Sequence, residues 1–351
     1  MANFSRYLSL QIILIFLAFA CCNHHAAGYG GLRVGFYEQT CPHLEHIVKE
    51  ISDQVMAVAP SLAGPLLRMH FHDCFVRGCE GSVLLDSPTK QAEKDAIPNL
   101  SLRGFQIIDK VKTAVEEACP GVVSCADILA TVARDVTAAM KGPYWEVETG
   151  RRDGRVSNMT EALFNLLPPF ANITTLKQGF LDRGLSVKDL VVLSGGHTIG
   201  ISHCSSFTDR LYNFTGKGDA DPSLDPNYAE KLRMKCPEAS PTDNLVEMDP
   251  GSVRTFDTSY FTLIAKRRGL FTSDAALLDD EETKAYLVQQ ALTHGSTFFK
   301  DFGESMVNMG KDRSPPGDQG EIRKVCTAVT VIINASKGPN LLSPLGEFGP
   351  D

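Results

Sequence analysis

No basic block in this chain of 351 residues is long enough to follow a phosphate backbone, and the formal net charge is -8. A nucleic-acid partner is therefore not expected. Nor is there a spanning segment: the apolar run from Leu8 to Ala20 falls short of the roughly 20 residues that a transmembrane helix needs. No internal repeat or low-complexity tract occurs, which argues against solenoid and array folds. Clean two-residue alternation is scarce as well, so an all-β architecture has little support.

What is present begins with a leader. Arg6 precedes the short apolar run, and small residues follow at Ala26, Ala27 and Gly28, the pattern of a secretory signal over residues 1–28. Cysteine usage fits export. Two of the ten cysteines, Cys21 and Cys22, lie in the leader. The rest are Cys41, Cys74, Cys79, Cys119, Cys125, Cys204, Cys236 and Cys326, an even set that suits disulfides but leaves on the order of a hundred pairings open. Glycosylation sequons at Asn158, Asn172, Asn213 and Asn334 fit the same compartment.

The periodicity is helical. Leu44, Ile47, Val48, Ile51 and Val55 share one face after Thr40 and Pro42. Ile108, Val111, Val115 and Ala118 repeat the pattern, and Pro120-Gly121 stops it. Ser124 should cap a third helix carrying Ile128, Leu129, Val132 and Val136. Ser186 with Asp189 should open a fourth, which Gly195-Gly196 would end. These signals predict a mainly α protein of about ten helices (order of magnitude) with Gly/Pro loops. A change of character near Leu167-Pro168-Pro169 marks a boundary between two halves.

The densest chemistry lies in Arg68-Met69-His70-Phe71-His72-Asp73-Cys74-Phe75. On a helix, Arg68 and His72 share a face at i, i+4, with Phe71 beside them, and His70 points away. On a strand, His70 and His72 would share a face and a zinc hydrolase would become conceivable. An Arg and a neutral His facing one cavity suit cleavage of a peroxide bond, with the His as acid–base and the guanidinium stabilising the departing hydroxide. Such a His needs an acceptor on its Nδ1 side.

This segment resembles the distal helix of the secretory plant peroxidases, the class III haem peroxidases. Further stretches are similar in order: Glu93-Lys94-Asp95-Ala96-Ile97-Pro98-Asn99, Ser124-Cys125-Ala126-Asp127, Gly150-Arg151-Arg152-Asp153, Leu193 to Gly200 around His197, Phe256-Asp257, and Gly269 to Asp274. The likeness runs from about Leu32 to Cys326. It implies the haem peroxidase fold, in which two helical halves sandwich a haem b and four disulfides brace the chain. The domain would cover 29–326, with a distal half over about 29–165 and a proximal half over about 166–326. Residues 327–351 would form a C-terminal extension.

The resemblance also assigns roles. His72 becomes the distal acid–base, Arg68 its partner, Asn99 the acceptor on His72, and Glu93 the support of Asn99. Phe71 would lie against the haem. His197 would be the axial iron ligand and Asp274 the acceptor of its other ring proton, which gives the imidazole anionic character. His43, His46, His70, His203 and His294 are read as structural or surface residues. The disulfides would be Cys41–Cys119, Cys74–Cys79, Cys125–Cys326 and Cys204–Cys236. Two calcium ions are implied: a distal one on Asp73, Val76, Gly78, Glu80 and Ser82, and a proximal one on Thr198, Asp249, Ser252, Thr255 and Asp257. Oxygen-rich loops suit a hard cation.

Some positions depart from the family pattern. Glu80 stands where Asp is usual, and Leu167 where the family has the proline whose carbonyl meets aromatic donors, unless that role shifts to Pro168. Asn99 opens an Asn-Leu-Ser sequon, yet as the partner of His72 it should be buried and unglycosylated. The expected protein is a secreted monomeric peroxidase that reduces hydrogen peroxide and oxidises phenolic donors by one-electron steps, in lignin-type wall chemistry or in defence and oxidative stress. Its expected place is the cell wall, or the vacuole if the extension routes it there. The competing expectation is a catalytically silent haem-binding wall protein.

Overall fold

Helix α1 (Leu44–Val58) buries Leu44, Val48, Ile51 and Val55, the stripe that its spacing predicts. It belongs to a computed structural model that describes residues 31–311 and 320–330. The leader, the sequon at Asn334 and nearly all of the C-terminal extension lie outside the described residues.

Helix α2 (Ala63–Val76) follows, then α3 (Phe105–Ala118) and α4 (Cys125–Ala139). Ser124 caps α4 by accepting from the Asp127 N–H at 3.1 Å. Every residue of α4 from Cys125 to Thr137 is buried. A helix covered on all sides belongs at the centre, and α4 packs against α1, α2 and α3. Its N-terminus is held by the Gly150–Asp153 segment. Asp153 accepts from the N–H groups of Cys125 (3.0 Å) and Ala126 (2.9 Å), and Arg151 pairs with buried Asp127 at 2.8 Å. The Asp153 carboxylate thus satisfies two orphan N–H groups where the helix dipole is positive.

The rest of the chain is built from shorter pieces: α5 (Met159–Asn165), α6 (Ile173–Leu181), α7 (Val187–Ser194), α8 (Asp209–Tyr212), α9 (Pro226–Lys235), α10 (Ser259–Ala265), α11 (Thr272–Ala276), α12 (Glu281–Leu292) and α13 (Phe298–Met309). More helices are present among the described residues than the periodicity predicts, because α5, α8, α10 and α11 are too short to carry a repeating stripe. A small antiparallel ribbon pairs β1 (Ile201–His203) with β2 (Leu245–Glu247), with Ser202 opposite Val246. One large apolar core runs from Tyr37 to Cys326, and a second cluster gathers Cys204, Phe207, Leu232, Val246 and Leu270.

Helix α7 opens as predicted. Ser186 and Asp189 exchange bonds at 3.1 and 2.8 Å. It also ends as predicted, at Ser194 with Gly195 beyond it. Gly195 stays right-handed at φ -59, and the chain tightens into a single turn over Gly195–Thr198. Packing explains the glycine here, since a Cβ at Gly195 would stand 2.6 Å from the Phe298 ring.

The disulfides are Cys41–Cys119, Cys74–Cys79, Cys125–Cys326 and Cys204–Cys236. Each stabilises by roughly 2–4 kcal/mol, in good part by restricting the unfolded chain. The Cys125–Cys326 bond ties the last described segment to the start of α4.

Candidate functional site

Because the stretch before Cys74 is helical, Arg68 and His72 do share a face of α2, and His70 turns away into the core. His70 sits 3.6 Å from the Cys74 sulfur, and burial next to Arg151 drives its pKa down to about 3. The shared face on which a zinc arrangement of His70 and His72 depended belongs to a strand, and this segment is a helix.

His72 is buried, and its Nδ1 meets the Asn99 side-chain oxygen. The orientation of that amide is fixed from behind, where Asn99 Nδ2 donates to the Glu93 main-chain carbonyl at 2.7 Å. Asn99 must therefore accept from His72, which puts the ring proton on Nδ1 and leaves Nε2 as a bare base. Burial and the neighbouring Arg68 charge hold the His72 pKa well below its ordinary value, outweighing the Asn99 bond. Asn99 is only 2% exposed, as its role requires despite the sequon.

Arg68 donates to the Pro98 carbonyl at 2.7 Å and to Ser101 Oγ at 2.8 Å. Burial lowers its pKa only to about 10, so it remains a cation. The loop carrying Pro98, Asn99 and Ser101 thus grips both Arg68 and His72. Ser101 was not singled out in the sequence because nothing in its spacing relates it to α2. The support from Glu93 comes through its backbone rather than its carboxylate. Both carboxylate oxygens are buried beside Ser82 with no close hydrogen bond among the described residues, and burial raises the Glu93 pKa well above normal. Phe71 lies 5.7 Å from the His72 ring and 4.1 Å from Phe75, lining the same wall.

On the opposite element, the turn after α7 presents His197. Its Nδ1 donates to Asp274 Oδ1 at 2.8 Å, and no hydrogen bond to Nε2 occurs among the described residues. Asp274 is 2% exposed. Burial would raise its pKa, but His197, the Phe271 N–H (2.9 Å) and the Tyr260 hydroxyl (2.9 Å) together hold it below the usual value. Tyr260 and Arg210 are residues that sequence reasoning missed. Arg210 pairs with Asp221 at 2.7 Å, with both side chains 1% exposed, and its Nη1 clamps the carbonyls of Gly269, Leu270 and Phe271 just ahead of Asp274. No motif links position 210 to position 274, so only the folded chain reveals this clamp.

The two elements approach closely, since a Cβ at Gly64 on α2 would stand 3.1 Å from Gly200 Cα. Two imidazoles with bare Nε2 atoms on facing elements, each with Nδ1 tied to a fixed acceptor, fit a planar iron cofactor held from one side.

The oxygen clusters beside the histidines differ in readiness. In the distal loop, Asp73 Oδ1 and Ser82 Oγ are buried without a close hydrogen bond among the described residues, while Asp73 Oδ2 accepts from the Gly81 N–H at 2.9 Å. Burial pushes the Asp73 pKa up to about 6. Glu80 is drawn aside into an ion pair with Arg77 at 2.7 Å, and Arg77 also holds Glu161 at 2.8 Å. The Val76 carbonyl already accepts from Asn165 at 3.0 Å, and Gly78 takes a left-handed φ of 104 that turns the loop. In the proximal loop, Thr198 Oγ1 lies 3.2 Å from Asp257 and 3.4 Å from Asp249. Ser252 meets Asp257 Oδ2 and the Thr255 carbonyl. Burial and the neighbouring Asp257 charge push Asp249 up to about 7. Buried oxygens with raised pKa values suit a hard cation that would hold them ionised.

A family model described as Peroxidase matches residues 47–292. The chain is 62% identical over 322 residues to Peroxidase 27 of Arabidopsis thaliana, covering 92% of this chain and 98% of that protein. It is 58% identical over 326 residues to Peroxidase 56 of the same plant, covering 93% and 97%. Peroxidase 1 of Oryza sativa subsp. japonica is 56% identical over 299 residues, covering 84% and 91%.

Proposed function

Since the chain belongs to the peroxidase family, in the class III branch of plants, we propose that Arg68 and His72 drive peroxide cleavage and that His197 is the sole protein ligand of the haem which that family implies. When bound, haem supplies the redox chemistry: two electrons for hydrogen peroxide, regained one at a time from organic donors. The observation that carries this reading is the matched pair of tethers, Asn99 on His72 and Asp274 on His197.

His72 Nε2 takes the proton from the inner peroxide oxygen and returns it to the outer one, so that water leaves. Arg68 uses two of its N–H groups on Pro98 and Ser101, and the remainder face the charge that gathers on the departing oxygen. The decisive experiment is an absorption spectrum of the secreted protein. A Soret band at about one haem per chain (the stoichiometry of a single axial histidine) that shifts on adding peroxide supports the reading. Protein without haem sinks it, and haem that ignores peroxide points to the silent binding protein.

Arg68→Leu is expected to keep haem but slow the reaction with peroxide by about 10²–10³-fold, the cost of removing one preorganised donor to a developing charge. Stopped-flow kinetics at an unchanged rate would remove Arg68 from the mechanism.

The two oxygen clusters are proposed calcium sites. Asp249, Asp257, Thr198, Ser252 and Thr255 would hold the proximal ion, and Asp73, Ser82, Val76 and Gly78 the distal one, with Glu80 joining only by leaving Arg77. Each adjoins a haem-facing histidine, so the ions would keep the two walls in register. Stripping calcium with a chelator should lower the melting temperature by about 5 °C or more, the effect of losing a ligand held near 100 times its Kd. Metal analysis finding no calcium, with no thermal shift, would refute the assignment.

Donors are proposed to be small phenolics at an edge flanked by exposed Ile97, Leu100, Phe164 and Phe170. The Pro168 carbonyl already accepts from the Ala171 N–H at 3.0 Å, which favours the Leu167 carbonyl as the donor's acceptor. Secretion is supported by the leader and by four disulfides, which persist in oxidising compartments. Among the described residues no helix is long and apolar enough to cross a membrane. The division into a distal half up to about 165 and a proximal half from about 166, and the monomeric state, are part of the same proposal.

A further inference from the structure

The single tryptophan of the chain, Trp145, takes no part in the chemistry above. It lies in the irregular segment after α4, and that segment and α13 enclose an open groove of about 400 Å³. Tyr144, Glu146, Phe299, Lys300 and Glu304 line the groove together with Trp145. Tyr144 is 56% exposed at its rim, and Trp145 is 8% exposed beneath it.

Inward from the groove the rings continue. Trp145 meets Phe302 edge-on, with centroids 6.1 Å apart. The Phe302 ring lies 3.8 Å from where a Cβ on Gly196 would stand, and Gly196 is bonded to His197. One phenylalanine therefore separates the tryptophan from the backbone of the proximal histidine. A longer second track runs from Phe302 to Phe298 (5.7 Å), Phe261 (4.8 Å), Tyr260 (5.4 Å) and the His197 ring (6.1 Å). Close packing of α13 on the groove wall depends on Gly303, where a Cβ would stand 3.2 Å from Trp145 Cβ.

Apolar bulk alone would fill this core, and phenylalanine is too hard to oxidise to act as more than a bridge. Indole is different: it gives up an electron far more readily than benzene, and here it stands where solvent and core meet. Tyr144 suits docking better than relay, because the Arg134 guanidinium sits 4.6 Å from its ring centre and a cation on that face opposes loss of an electron.

We propose that this groove is a second oxidation site, where phenolic groups carried on a polymer too bulky for the haem edge deliver one electron through Trp145 and Phe302 to the His197 side of the cofactor. The proposal rests on the peroxidase reading above, which supplies the oxidant. Trp145 would give up the electron that the oxidised haem demands, and the docked phenol would restore it. The phenol O–H bond breaks, its proton passes to water, and a phenoxyl radical leaves. Two phenols are consumed for each hydrogen peroxide, matching its two oxidising equivalents. Charge selects the occupant. Lys300 already pairs with Glu304 at 3.0 Å, so Glu146 leaves the groove negative, favouring neutral or cationic donors over anionic ones.

The test uses the haem-loaded full chain with peroxide and two donors: a random lysine–tyrosine copolymer, followed by dityrosine fluorescence, and free 4-methylphenol. Trp145→Phe should lower kcat/KM for the copolymer at least about tenfold and leave 4-methylphenol within about twofold. Freeze-quenched samples of the parent protein should carry an indole radical that this variant lacks, an unambiguous assignment with only one tryptophan in the chain. Glu146→Lys, at an exposed position, should raise KM for the copolymer without changing kcat. An unchanged copolymer rate, or an equal fall for both donors, overturns the proposal. If the parent protein oxidises neither donor, the peroxidase reading itself has failed.

Discussion

Replacing His72 with leucine is expected to slow the reaction with hydrogen peroxide by roughly 10²–10⁴-fold, the range for losing a positioned acid–base group. Haem content should not change, because the proposed ligand is His197 rather than His72. Stopped-flow measurement of the Soret shift gives the rate directly, and a loss below about tenfold would mean that another group moves the proton. The same experiment has a pH arm. A free imidazole becomes half protonated near pH 6.5, roughly. His72 is held neutral far below that point, first by burial and then by the Arg68 charge. Protonation would abolish the base, so a depressed pKa extends activity toward acid rather than cutting it short. The parent rate should stay level as pH falls through 6.5, and a sigmoidal loss centred near that value would contradict the arrangement of Arg68, His72 and Asn99.

Much of this site is legible in the chain because its local parts are periodic or contiguous. Arg68 and His72 meet because helical spacing puts them on one face, and Ser124 caps α4 because its partner Asp127 is three residues away. Longer-range geometry follows different rules. Asn99 reaches His72 across 27 residues of chain, and its motif marks it, but that motif says nothing of how Glu93 helps. The helpful atom is a main-chain carbonyl, which every residue has and no sequence advertises. Likewise the Arg210 clamp spans about sixty residues to reach three consecutive carbonyls, and only docking of α8 onto the Gly269–Phe271 segment creates it. A glycine is half legible for a related reason. Gly195 reads as a helix stop and does end α7, but the need for its missing side chain comes from Phe298, which no local pattern announces. Glu80 is recognisable in sequence as a longer carboxylate, but its capture by Arg77 depends on where Glu161 arrives from α5.

His197→Ala should yield protein that folds, forms its disulfides and binds little haem, measured as a Soret-to-protein absorbance ratio far below that of the parent. Of the other buried or half-buried histidines among the described residues, His70 is committed to the core, His72 to Asn99 and His203 to Asp243 at 3.2 Å, so none of these imidazoles is placed to replace the ligand. Added imidazole should restore part of the band, since the variant opens room for it next to Asp274. Full haem content without imidazole would refute the ligand assignment. Asp274→Asn separates tethering from electronics. Asparagine can still accept from His197 Nδ1, so haem should stay, but the charge that three donors now stabilise on Asp274 is lost. A neutral acceptor makes the imidazole a poorer electron donor to iron, and the ferric–ferrous midpoint potential should rise. An unchanged potential with haem retained would mean that Asp274 only orients the ring. In that case the Arg210–Asp221 clamp serves geometry alone.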